Sequence, residues 1–193
     1  KNAGSATITA TQAGTKNYNE KTVTASFRVV NSGTFVLGQA VPGGIIAYLD
    51  ASGVHGFILS DTDVSTGLPW STGNITATSA TATGLGSGAA NTDRIITAMG
   101  EGAYAAKACR DYRGGGFTDW YLPSQGELAI VRLRKDIIGG IPETNYWTSN
   151  EVAATPANAT FVYMGPGTLS GTSVTTNTYS KLYNYSVRAM RTF

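Results

Sequence analysis

The stretch "LPSQGEL" restricts the fold of this chain more than any other: Ser124 is followed three residues later by Glu127, and Leu128 opens an apolar run. A hydroxyl at the N-cap and a carboxylate at the third helical position form a capping box. The box satisfies two of the backbone N–H groups that a helix start leaves without intrahelical partners. A helix is therefore predicted from here to "IIGG", where Gly139 or Gly140 can take the left-handed conformation that ends helices. Leu128 is placed to staple onto Pro123. A second helical pattern lies upstream, where Ile95, Ile96, Met99, Ala103, Ala106 and Cys109 keep i, i+3, i+4 spacing, with Asn91 or Thr92 as N-cap. Gly100 and Gly102 weaken that helix and mark the place for a kink.

Strand-like stretches surround these two helices. In "GGIIAYLDASGVHGFILS", Ile45, Ile46, Tyr48 and Leu49 run up to the turn "DASG", and Phe57, Ile58 and Leu59 run back. Residues 71–92 are low in complexity, lack periodicity and read as a loop-like surface segment. From Tyr146 onward the pattern is of short strands and long loops. Hairpin, two helices, then strands is the order of an α+β domain with helices packed on an antiparallel sheet.

The first 33 residues read separately. "SATITAT" alternates small apolar residues with Thr, and "TVTASFRVV" places Val23, Ala25, Phe27 and Val29 on one face. With the turn-forming "QAGTKNYNEK" between them, they predict a β-hairpin with one buried face. Two strands alone are marginal in water, so the hairpin must pack on something else. It resembles the last two strands of bacterial immunoglobulin-like repeats, which carry a similar "A-G-x-x-N-Y" turn. That resemblance implies further strands upstream in a longer protein or from a partner. With "NSGTF" at 31–35 as linker, the expected division is a partial immunoglobulin-like segment over 1–33 and a second domain over 34–193.

Composition excludes several classes. Charged residues make up 13% of the chain, whereas about 25% is usual. A hydrophobic content of 41% and ten tyrosines supply enough to bury, which argues against disorder. A net charge of +2 without any Lys/Arg stripe gives no electrostatic footprint for nucleic acid. No stretch approaches the roughly 20 apolar residues of a membrane span. Cys109 is the single cysteine, so an internal disulfide and a Cys-cluster zinc site are out, and its Ala-rich helical setting predicts a buried, inert thiol. Low charge with many small polar residues suits an extracellular β-rich protein.

Candidate chemistry is sparse. His55 is the only histidine and follows the hairpin turn, where it reads as a surface or packing residue, not a general base. "GLGSG" at 84–88 lacks the spacing of a phosphate-binding loop, and no Lys follows. Asp61 and Asp63 in "SDTDVSTG" are the metal candidates, since paired carboxylates on a loop can hold calcium; the Gly and distal Glu of an EF-hand are missing. No cofactor is expected beyond such a structural calcium.

"GGGFTDWYLPSQGEL", "NYWTSNE", "VPGGIIAYLDASGVHGFILS" and the closing "SVRAMRTF" together resemble the collagen-like-adhesin (Lcl) C-terminal domain family. Members carry "G-G-G-Y-T-D-W-Y-L-P-S-x-x-E-L", a later "Y-W-S-S-S-E" and a closing "V-R-x-V-R", in this order. The resemblance spans about residues 36–193 and implies the C-type-lectin-like superfold. On physical grounds Trp120, Leu122, Tyr146 and Trp147 are expected in the core, the aromatic ones each burying on the order of 150–250 Å². Asp119 can accept hydrogen bonds from backbone or indole, and Arg188 and Arg191 are expected to pair with acids such as Glu127 or Glu151. The family's "S-S-S-E" is Thr148, Ser149, Asn150 and Glu151 here. The "E-P-N", "Q-P-D" and "W-N-D" triplets of calcium-dependent sugar-binding lectins are missing, as is the second cysteine of the related formylglycine-generating enzymes.

Residues 152–187 carry one charge, Lys181, alongside Phe161, Tyr163, Tyr179, Tyr183 and Tyr185. Tyr among Ser, Gly, Asn and Thr is the composition of paratopes, because Tyr offers a large contact area at low entropy cost. A strand over 177–187 would put Tyr179, Lys181, Tyr183 and Tyr185 on one face with Val187. The expectation is thus a non-enzymatic recognition or adhesion module at a cell surface or on a phage particle, binding a protein or glycan. Its contact residues would be Asn158, Thr160, Tyr163, Asn177, Tyr179, Lys181, Tyr183, Asn184 and Tyr185. The resemblance adds that such domains are targets of diversity-generating retroelements, which randomise codons near the C-terminus on a fixed scaffold. The alternative is a structural subunit of a pilus or phage particle that assembles through the same surface.

Overall fold

Alternation in the first stretch produces the expected hairpin in the computed structural model, which describes residues 4–14, 21–29, 35–73, 76–166 and 176–193. The chain divides into two compact units, Lys1–Phe35 and Val36–Phe193. In the first, β1 (Gly4–Gln12) and β2 (Lys21–Val29) pair antiparallel, with Ala6 opposite Phe27, Ile8 opposite Ala25 and Ala10 opposite Val23. Thr7, Thr9 and Thr11 lie opposite Ser26, Thr24 and Thr22, so the register sorts apolar from hydroxyl residues. Residues 15–20 of the expected turn and 31–34 of the expected linker fall outside the described residues.

The second unit is mixed α+β. In chain order it runs β3 (Ala40–Val41), β4 (Gly44–Leu49), β5 (Gly56–Ser60), β6 (Ser65–Pro69), α1 (Gly88–Met99), α2 (Ala105–Asp111), α3 (Gln125–Leu133), α4 (Lys135–Ile138), β7 (Asn145–Glu151), β8 (Asn158–Tyr163), β9 (Thr176–Ser180), β10 (Asn184–Val187) and β11 (Met190–Thr192). One sheet has the order β11-β5-β4-β3 and the other β6-β10-β7-β8-β9. All pairings are antiparallel except β10 with β7. The hairpin β4–β5 turns at Asp50, whose Oδ1 accepts the N–H groups of Ser52 and Gly53 at 2.9 and 3.1 Å, an Asx turn.

Among the described residues there are four α-helices where the sequence predicts two. The kink expected at Gly100 is a break: Gly100 at φ 69° ends α1, and α2 starts five residues later. α1 also begins at Gly88, ahead of the expected caps. Asn91 and Thr92 are cap-type residues whose side chains serve tertiary contacts instead. Asn91 Nδ2 donates to the Ala82 carbonyl at 2.7 Å, and Thr92 Oγ1 accepts the Leu122 N–H at 3.0 Å. The capping box forms as predicted: Ser124 Oγ accepts the Glu127 N–H at 3.3 Å, and Glu127 Oε2 accepts the Ser124 N–H at 2.6 Å. Glu127 is buried and also accepts the Gly86 N–H at 2.9 Å, which ties the approach to α1 to the start of α3. Burial raises its carboxyl above the ordinary range, and the bonds from Ser124 and Gly86 work against that rise. At the far end Arg134 leaves helical geometry, α4 adds one turn, and Gly139 and Gly140 follow at φ 71° and 61°.

α3 packs against β4 on one side and β7 and β8 on the other, so the core forms between the sheets around it. Ala47, Phe57 and Leu59 from the first sheet meet Tyr146 and Val162 from the second, with Leu128 and Val131 of α3 between. Trp70, Trp120, Trp147, Leu122 and Tyr146 are buried. The glycine motifs are explained by a backbone crossing. A Cβ on Gly43 would lie 2.4 Å from the Gly114 carbonyl carbon, and one on Gly115 2.5 Å from the Pro42 oxygen, both at positive φ. Tyr121 exchanges backbone hydrogen bonds with Met190 at 2.8 and 2.9 Å, joining the middle motif to the closing one.

Cys109 is fully buried on α2, and burial pushes its thiol far above the ordinary range. We expect no reaction with a disulfide reagent such as DTNB in native buffer and one thiol per chain in denaturant; rapid native labelling would contradict the assigned burial.

Candidate tyrosine-rich surface

β7 runs down the middle of the five-stranded sheet, and its Trp147 is wholly buried, donating Nε1–H to the Leu68 carbonyl at 2.9 Å. Phe161 on β8 is opposite Trp147 in register and meets it edge-on at 6.3 Å. Tyr185 on β10 lies against both rings, at 4.5 Å from Trp147 and 4.8 Å from Phe161. Tyr179 on β9 follows at 6.5 Å from Tyr185, and Tyr183 meets Tyr179 edge-to-face at 4.3 Å and 85°. The rings therefore form a continuous series from the core outward, ending in Tyr179 at 42% and Tyr183 at 52% exposure. Burial raises the Tyr185 phenol above its ordinary value, and the hydrogen bond with Tyr183 does the same for Tyr179.

The expected contact residues divide. Asn177, opposite Phe161, is exposed on the same face as the rings, and Asn184, beside Pro69, is exposed too. Tyr163 shares the β8 face of Phe161 but is half-buried, its ring lying over Gly165. Asn158 and Thr160 point to the other side of β8, because strand side chains alternate. The Thr160 hydroxyl contacts that of Thr148, and the Thr148 hydroxyl donates to the Thr160 carbonyl at 3.0 Å. These two residues are not brought together with the tyrosines.

Lys181 requires a correction. The expected strand over 177–187 is two strands, β9 and β10, separated in the sheet by β7 and β8. Residues 181–183 form the turn that crosses between them, and Lys181 is its buried anchor, with no exposed surface. Its N–H donates to the Ala157 carbonyl at 3.0 Å, and its own carbonyl accepts from Trp70 and Ser71 at 2.9 and 3.3 Å. Its Nζ lies 2.6 Å from Glu151 Oε2 and 4.4 Å from the centre of the Trp70 ring. Glu151 in turn accepts the Thr78 N–H at 2.8 Å and the Ser79 N–H at 3.3 Å. Burial pushes the Glu151 carboxyl upward, but the bonds from Lys181 and Thr78 outweigh it and hold the group below its ordinary value. Burial lowers the Lys181 ammonium, and Glu151 opposes that shift. A lone charge in an otherwise uncharged stretch was the available sign that this lysine has a dedicated partner.

Asp61 and Asp63, the metal candidates, are each engaged by other side chains. Arg188 NH1 bonds Asp63 Oδ1 at 3.0 Å, and the Tyr146 hydroxyl donates to both Asp63 oxygens at 2.9 and 3.0 Å. Asp61 directs its carbonyl to Arg188 NH2 at 2.7 Å and its carboxylate to the Tyr112 hydroxyl at 3.1 Å. Arg188 thus engages the Asp63 carboxylate and the Asp61 main chain, while the Asp61 carboxylate faces Tyr112. Among the described residues no group of three or more His, Cys, Asp or Glu side chains can hold a metal. Arg188 pairs with Asp63 and Arg191 with Asp119 at 2.8 Å, so neither reaches Glu127 or Glu151 as expected. Among the described residues no helix is long and apolar enough to cross a membrane.

No protein-family model and no curated protein matches this sequence.

Proposed function

We propose that the Val36–Phe193 unit is a non-enzymatic recognition module of the C-type-lectin-like kind. In this reading it acts at a cell surface or on a phage particle and binds a protein or glycan through the tyrosine face. The observation that carries the proposal is the pairing of exposed rings with a buried anchor. Tyr179, Leu182 and Tyr183 are 42, 51 and 52% exposed, while Lys181 between them has no exposed surface. Exposed aromatic side chains on a fixed turn have little entropy left to lose on binding, which is what a paratope needs. The resemblance of the 114–128, 145–151 and 186–193 stretches to collagen-like adhesins supports the same reading. His55 is exposed beside a turn and Cys109 is buried, which favours recognition over catalysis. Exposed positions 177, 179, 182, 183 and 184 interleave with buried 181 and 186, a layout suited to diversification by a retroelement on a constant scaffold. A near-copy of the gene's 3′ end beside a reverse-transcriptase gene would support that part; an invariant segment across isolates would sink it.

The test is a combined protein and glycan array probed with the purified chain and its Tyr183→Ala variant. Binding should weaken at least tenfold, on the order expected for an aromatic hot spot, while the urea midpoint stays unchanged. Tyr185→Ala should lower the midpoint too, since its ring packs on Trp147 and Phe161. Unfolding by Tyr183→Ala, or array binding indifferent to it, would overturn the proposal. A second reading, a structural subunit of a pilus or phage particle, is favoured by one feature. The β1–β2 ribbon forms a sheet of only two strands, and such ribbons are marginal alone. Concentration-dependent assembly in light scattering would select that reading.

A further inference from the structure

With Lys181 withdrawn into the interior, the five-stranded sheet has an unusual charge pattern. β6, β8, β9 and β10 contain no Asp, Glu, Lys or Arg, and β7 contains Glu151 alone, which is buried on Lys181. The turn between β9 and β10 adds only Leu182 and Tyr183 to the surface. Among the described residues the tyrosine face thus presents rings, hydroxyls, amides and one exposed Leu, and no formal charge. Burial shifts the Tyr185 phenol, and hydrogen bonding with Tyr183 the Tyr179 phenol, further from the charged form.

Ring orientation adds a second constraint. Carbohydrate rings stack on exposed flat aromatic faces, whereas Tyr179 and Tyr183 stand perpendicular, at 85°, with 4.3 Å between their centres. The edge of one ring is spent on the face of the other. What remains exposed are the outer surfaces of these two rings and Leu182, one residue before Tyr183, an aromatic and aliphatic set that suits an apolar side chain. An unpaired charge brought against such a surface would lose its hydration without gaining a counter-charge, so the face selects against charged partners.

We propose that the partner is a protein presenting an uncharged, protruding aliphatic or aromatic side chain to the Tyr179–Leu182–Tyr183 set, and that the association is independent of ionic strength. This rests on the recognition reading above and names its ligand class. Association at a neutral surface proceeds without electrostatic steering, with rate constants of about 10⁵–10⁶ M⁻¹s⁻¹.

The experiment is selection of a phage-displayed random dodecapeptide library on the intact immobilised chain, counter-selected on the Tyr183→Ala variant, with a glycan array run in parallel. The expected outcome is a set of binders rich in Leu, Ile, Phe or Trp and poor in charge near that residue. Their Kd should change less than about twofold between 50 and 500 mM NaCl, because there is no exposed pair for salt to screen. Leu182→Glu should weaken them at least about tenfold at both salt concentrations, since the new carboxylate must be desolvated. Leu182 is half exposed, so an unchanged urea midpoint separates lost contact from lost fold. Binders that are acidic or basic, or whose affinity falls steeply with salt, overturn the proposal while leaving the recognition reading intact. So do Tyr183-dependent glycans in place of peptides. The lack of any Tyr183-dependent binder in either format overturns both.

Discussion

Replacing Lys181 by Ala is expected to destabilise the Val36–Phe193 unit by about 3–5 kcal/mol, the range for removing one partner of a buried ion pair. The pair is enclosed, with side-chain exposures of 0% for Lys181 and 2% for Glu151, so solvent does little to screen it. Removing the ammonium leaves the buried carboxylate on its Thr78 and Ser79 donors without a counter-charge, and it opens a void against Trp70. Lys181→Met fills that void and should cost less, and Glu151→Gln in the same chain should recover part of the remainder. A double-mutant cycle by urea denaturation measures the coupling. The pH dependence has a definite sign. The folded Glu151 carboxyl lies below its ordinary value near 4.5, so its contribution is complete above that pH and disappears as pH falls through the lower folded value. In Lys181→Met the carboxyl loses the cation that holds it down, and this acid-side loss should shrink. A near-neutral Lys181→Ala, or an acid limb unchanged in Lys181→Met, would show that the pair does not anchor the turn.

Trp120→Ala should lower stability by a comparable amount, about 3–5 kcal/mol for truncation of a buried aromatic. Trp120 has no exposed surface, donates Nε1–H to the Gly114 carbonyl at 3.2 Å and meets the Tyr112 ring edge-on at 4.9 Å. Gly114–Gly116 is a single 3₁₀ turn, and Pro42 and Gly43 cross its backbone too closely for any Cβ. The indole therefore supports both the glycine turn and the entry to β4. Trp120→Phe keeps an aromatic ring but removes the indole donor, leaving the Gly114 carbonyl to the Phe117 N–H at 3.3 Å, and should fall between wild type and Ala. Chemical denaturation ranks the three, and a Trp120→Ala midpoint close to wild type would contradict the core role.

What the sequence revealed follows the range of each interaction. α3 was legible because its capping box lies within four residues, Ser124 to Glu127, and needs nothing from elsewhere. The β4–β5 hairpin was legible from its apolar runs and the Asp50 turn. The start of α1 differs from the expected one because Asn91 and Thr92 are good caps in isolation and are committed to Ala82 and Leu122 in the fold. The partners of Arg188 and Lys181 are hidden from local pattern for a related reason. Each pairs with an acid distant in sequence, Asp63 and Glu151, and the choice among acids is made by topology, not by local pattern. The tyrosine face was half visible. Composition pointed to Tyr179, Tyr183 and Tyr185, but a period-two strand was the wrong ruler for a segment that crosses between two strands at Lys181.

The last strands have a consequence for synthesis. β10 lies inside the five-stranded sheet, between β6 and β7, and β11 completes the edge beside β5 in the other. Only Arg188 and Ala189 separate them, so one short run of chain closes both sheets at once. On a ribosome neither sheet can be finished until residues 184–192 have cleared the exit tunnel. The nascent unit must wait with β5, β6 and β7 lacking neighbours, and its contacts, being distant in sequence, belong to the slower class of folding topologies. Stalling translation just before Asn184 should therefore yield a protease-sensitive chain, and stalling within an appended linker long enough to carry residue 193 clear of the tunnel a resistant one.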